Sequence, residues 1–65
     1  MNRKELKGRI VAKGMTHAEV ASAIGMSLST FGRKMKKGTF GLDEADKLIE
    51  VLEIKNPGEI FFNRK

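Results

Sequence analysis

The strongest constraint on this chain is its punctuation. Gly14, Gly25, Gly38, Gly41 and Asn56-Pro57-Gly58 divide the 65 residues into five short segments. Most segments open on a residue suited to capping a helix. Asn2 with Glu5, Thr16 with Glu19 and Asn56 with Glu59 each have the spacing of a capping box, and Ser27 caps the third segment. Inside the segments the apolar residues recur three and four apart. Leu6, Ile10 and Val11 stripe the first; Ala18, Val20, Ala21 and Ile24 the second; Phe31 and Met35 the third; Leu42, Ala45, Leu48, Ile49 and Leu52 the fourth. The expectation is an all-α, five-helix domain over residues 1–65. Its third helix ends near Lys36, its fourth spans about Leu42 to Glu53, and its fifth is one turn with Pro57 in the first position. The closing Ile60-Phe61-Phe62 is β-prone, so an extended end stands as the alternative.

Size and composition remove several classes of function. There is no cysteine, hence no disulfide, thiolate metal site or cysteine nucleophile, and this fits a reducing cytoplasm. No apolar run approaches the roughly 18 residues of a membrane span, and no membrane association is expected. The one histidine, His17, has no nucleophile or orienting partner near it and no second metal ligand. We therefore expect no enzyme activity, no metal site and no cofactor.

Charge is distributed unevenly. Residues 1–38 carry nine Lys/Arg against two Asp/Glu, and residues 39–65 carry four against six. One basic face for a polyanion and a second face for something else would satisfy this split, and so would a plain solvated surface.

The stretch Thr16–Lys37 narrows the choice. Ala21 lies midway along the second helix, where a large side chain would push its neighbour away. Gly25 sits four residues on, where the chain reverses with positive φ. Phe31 lies six beyond that and can fold back into the angle between two helices. Small, glycine and large apolar at these spacings describe a bracket of two helices at a steep angle. The second ends in Lys34, Lys36 and Lys37.

These residues resemble the helix-turn-helix domain of phage Cro and repressor proteins and their bacterial relatives, the Xre family. The matching positions are Thr16, Glu19, Val20, Ala21, Ile24, Gly25, Ser27, Ser29, Thr30, Phe31 and Arg33. Phe40-x-Leu42-Asp43-Glu44-Ala45, Leu52 and Asn56-Pro57-x-Glu59-Ile60-Phe61-Phe62 are similar to small phage-type members. The resemblance covers roughly residues 4–62. It implies a lambda-repressor-like fold and a sequence-specific transcriptional regulator, of phage or mobile-element origin. Such a protein binds a double-stranded DNA operator as a dimer, with the third helix in the major groove.

Carried onto this chain, the base-reading positions are Leu28, Ser29, Gly32 and Arg33. Arg33 can reach guanine O6 and N7 or only a phosphate. Leu28 departs from the polar residue common at its position. It can contact a thymine methyl, or pack on Met26 or a neighbouring chain. Gly32 lets the backbone approach the groove or relieves crowding against the second helix. The phosphate candidates are His17, Ser27, Thr30, Lys34, Lys36, Lys37 and Thr39. For His17 the plain alternative is a surface residue, and for Thr30 a bond back to its own helix.

Ile60, Phe61 and Phe62 are the candidate dimer surface. One of them can enter the core while the others want a cover. A weak homodimer strengthened on DNA is expected. The rival reading is a protein-binding modulator that grips a repressor protein or a toxin through the acidic fourth helix and the Phe61-Phe62 end.

Overall fold

Local hydrogen bonding builds five helices in the computed structural model, which describes residues 1–61. They are α1 (Arg3–Ala12), α2 (His17–Ala23), α3 (Leu28–Lys37), α4 (Leu42–Leu52) and α5 (Pro57–Phe61). There is no strand among the described residues. Phe62 lies outside them, so its place in the expected dimer surface is not described.

Three side chains start their helices by satisfying an otherwise orphaned backbone donor. Asn2 Oδ1 accepts the Glu5 N–H at 3.1 Å, and Ser27 Oγ accepts the Thr30 N–H at 3.1 Å. Thr16 forms the full reciprocal box: its Oγ1 accepts the Glu19 N–H at 3.1 Å, and Glu19 Oε1 accepts the Thr16 N–H at 2.8 Å. The other two expected boxes do not close. The Asn2 N–H donates instead to the Ile60 carbonyl at 2.7 Å, and Glu5 turns to Arg9 at 3.1 Å. Asn56 Nδ2 donates to Glu59 Oε1 at 2.6 Å, which leaves Asn56 Oδ1 without a partner.

The first four helices end alike. A left-handed residue reverses the chain, and the next N–H bonds back to the carbonyl five residues earlier. These bonds are Met15 to Ile10 (3.2 Å), Met26 to Ala21 (3.0 Å), Thr39 to Lys34 (3.1 Å) and Ile54 to Ile49 (2.9 Å). The left-handed residue is glycine at Gly14, Gly25 and Gly38, with φ of 70°, 80° and 72°; at the end of α4 it is Glu53, with φ 52°. The apolar residue after three of these turns, Met15, Met26 or Ile54, folds onto the core.

One apolar cluster joins the helices. Leu6 and Ile10 of α1, Val20 and Ala21 of α2, Phe31 and Met35 of α3, Leu48 and Leu52 of α4, and Ile60 of α5 are all buried in it. The α2–α3 pair forms the most extensive helix–helix contact, with Ala21 fully buried. Three expected core residues lie outside. Val11 is 75% exposed because it sits about 100° past Ile10, off the narrow Leu6–Ile10 stripe. Leu42 shares the Ala45–Leu48–Leu52 stripe but, at the first position of α4, is 73% exposed. Ala18, in the first turn of α2, is exposed too.

Candidate nucleic-acid interface

Phe31 and Met35 decide which side of α3 faces out. Four apart, they bury one stripe of the helix. The remaining positions Leu28, Ser29, Gly32, Arg33, Lys36 and Lys37 are all exposed, Leu28 by 52%. The four residues expected to read bases thus share the outward side. Leu28 therefore does not owe its place to core packing. A Cβ added at Gly32 would meet nothing within 4 Å, so this glycine relieves no crowding against α2.

Phe31 also fixes the neighbours of α3. Its ring and that of His17 pack edge to face, with centroids 5.8 Å and planes 80° apart, and it tilts against Phe40 at 5.6 Å. His17, half-buried, is thereby held at the start of α2 beside the root of α3. At the front of α3, the Ser27 hydroxyl is used twice within the protein: it accepts from the Thr30 N–H and donates to Thr30 Oγ1 at 3.0 Å. Ser27 thus serves as the cap, with the Thr30 hydroxyl bonded to it. Thr39 is exposed just after Gly38.

The four cations of α3 separate into two kinds. Arg33, Lys36 and Lys37 are exposed and have no carboxylate partner among the described residues. Lys34 is half-buried, and its ammonium donates to Glu44 Oε2 at 2.6 Å. Glu44 Oε1 accepts the Gly41 N–H at 2.8 Å, so one carboxylate spans the α3 end and the α4 start. The Lys34 hydrogen bond, with the Gly41 N–H second, holds the Glu44 carboxyl below its ordinary value of 4.5. Lys34 is thus an internal tie and not the free phosphate cation the sequence leads one to expect.

A second correction concerns the C-terminal helix. Ile60 is fully buried, with its carbonyl bonded to the Asn2 amide, so it belongs to the core and not to a dimer surface. Phe61 is half-buried and packs against that core.

Two residues at the site have no local signature. Glu44 reaches Lys34 across ten residues, and Arg3 Nη1 donates to the Lys36 carbonyl at 2.6 Å across 33. Both depend on how the helices pack. Only the general i,i+3 and i,i+4 rules are readable locally, and neither pair obeys them.

No family model, curated protein or solved structure matches this chain. Among the described residues no helix is long and apolar enough to cross a membrane, and no three His, Cys, Asp or Glu side chains form a metal-sized group.

Proposed function

We propose that this chain is a sequence-specific, double-stranded-DNA-binding regulator of the Cro/repressor type, with the α2–turn–α3 unit as a lambda-repressor-like helix-turn-helix. The observation that carries the reading is the outer side of α3. It presents Leu28, Ser29, Gly32 and Arg33 together, adds Lys36 and Lys37, which have no carboxylate partner among the described residues, and itself carries no carboxylate. An exposed helix side with cations at one end and small or hydrogen-bonding groups at the other suits a major groove lined by phosphates.

Arg33 is the base reader in this proposal, and Lys36 and Lys37 neutralise phosphates. So small a chain makes few contacts alone, so two copies on a two-fold site are the expected arrangement. With Ile60 in the core, half-buried Phe61 is the described residue of the expected dimer contact. The protein would act in the cytoplasm, where the DNA is.

In vitro selection from random duplexes tests this directly. The wild-type protein should enrich a two-fold motif. Arg33→Ala should lose roughly 1–3 kcal/mol and its preference at one base pair per half-site. Lys36→Ala should weaken all sequences about equally. Enrichment of no motif by the wild type, combined with capture of a protein partner that Asp46→Lys abolishes, would favour the protein-modulator reading instead.

A further inference from the structure

The basic half of the chain holds more cations than α3 uses. On α1, Arg9 is paired with Glu5 at 3.1 Å, and just beyond it Lys13 is paired with Glu53. Arg3, Lys4 and Lys7 are exposed, and none has a carboxylate partner among the described residues. Glu5 and Glu53 are thus taken by Arg9 and Lys13.

Arg3 connects this group to α3. One of its five N–H donors binds the Lys36 carbonyl at 2.6 Å, which leaves four for another acceptor. Lys7 lies four residues beyond Arg3, one turn further along the same side of α1. A row of cations therefore runs from Lys37 and Lys36 through Arg3 to Lys7, with Lys4 beside it. Gly8 completes the surface. It is exposed in the middle of α1, and a Cβ there would meet nothing within 4 Å. Glycine is a poor helix former, and internal packing gives no reason for it here. Next to Lys7 it lowers the helix surface so that an extended polyanion can lie close.

We infer that Arg3, Lys4 and Lys7 form a second phosphate-binding strip, continuous with α3, for the DNA backbone flanking the base pairs that α3 reads. Arg3 meets α3 at the Lys36 carbonyl, beyond the reading positions Leu28 to Arg33, so the strip is assigned to phosphates outside the read sequence. This inference rests on the DNA-binding reading above and extends the same surface.

The probe is a duplex enriched by the wild-type protein, made in two lengths: the enriched core alone, and the core with unselected flanks on both sides. Salt titrations compare wild type, the double variant Lys4→Gln/Lys7→Gln and, as a cation from the acidic half, Lys55→Gln. On the flanked duplex the double variant should give a shallower slope of log affinity against log salt, by about 0.9 for each phosphate no longer neutralised. On the trimmed duplex it should match wild type, and Lys55→Gln should match wild type on both. An unchanged slope on the flanked duplex, or an equally shallower slope on both lengths, overturns the strip and leaves DNA binding standing. Failure of the wild type to enrich any duplex overturns the DNA reading, and the strip falls with it.

Discussion

Lys34 Nζ and Glu44 Oε2 lie 2.6 Å apart, and this contact subtracts one cation from the outer charge of α3. Removing the carboxylate should return it. Glu44→Gln is expected to free Lys34 for a phosphate and to steepen the salt dependence of DNA binding by about 0.9 per chain. Lys34→Ala should leave the wild-type slope nearly unchanged. Anisotropy titrations over a range of salt read both. A slope for Glu44→Gln no steeper than that of wild type would mean that Lys34 does not reach the DNA even when released.

The same carboxylate makes stability depend on acid. Glu44, through Lys34 first, and Glu53, through Lys13 first, are both held below their ordinary value of 4.5 in the folded chain. Near that pH the unfolded chain therefore binds more protons than the folded one, so stability rises with pH. The contribution is fully present above the ordinary value and is lost as pH falls through the lowered one. Thermal melts at about pH 6 and about pH 3 should show a drop for wild type and a smaller drop for Glu44→Gln. An equal drop in both would remove Glu44 from the acid response.

Gly32 separates stability from binding. An added Cβ meets open space, and alanine is the better helix former. Gly32→Ala is expected to stabilise the fold by roughly 0.5–1 kcal/mol. If the α3 backbone approaches the groove at this point, the same methyl group should weaken DNA binding. Denaturant unfolding and a binding titration on one preparation measure the two effects, and a gain in stability with unaltered affinity would place Gly32 away from the DNA.

Gly25 tests the turn between α2 and α3. There is room for a side chain at this position too, so any cost comes from the backbone at φ 80°. Gly25→Ala should lose roughly 1–2 kcal/mol and Gly25→Val more, since a β-branched residue is strained there. Equal denaturation midpoints for Gly25→Ala and wild type would mean that the turn relaxes to another conformation.

What the sequence disclosed was what short-range geometry controls. The caps at Asn2, Thr16 and Ser27, the reversals at Gly14, Gly25 and Gly38, and the buried pair Phe31 and Met35 all depend on residues within one or two turns of one another. The outward grouping of Leu28, Ser29, Gly32 and Arg33 follows from that buried pair. Elsewhere the periodicity misled. Leu42 has the right spacing for the core and is nonetheless exposed at the start of α4, and nothing about Glu53 announces a left-handed residue. The Lys34–Glu44, Lys13–Glu53 and Arg3–Lys36 contacts could not be read from spacing. Each needs the mutual placement of two helices, and in each the sequence offered several equally charged candidates.

The bond from the Asn2 amide to the Ile60 carbonyl joins points almost at opposite ends of the described chain, and Arg3 beside it holds the last turn of α3. During synthesis the first of these partners waits for the second, a few seconds at roughly 5–20 residues per second. Until Ile60 emerges, the Asn2 amide lacks its partner and α1 lacks its contact with α5. A stalled or clipped product therefore carries an α1 that is not tied to α5, and its row of cations from α1 to α3 is expected to be less firmly held.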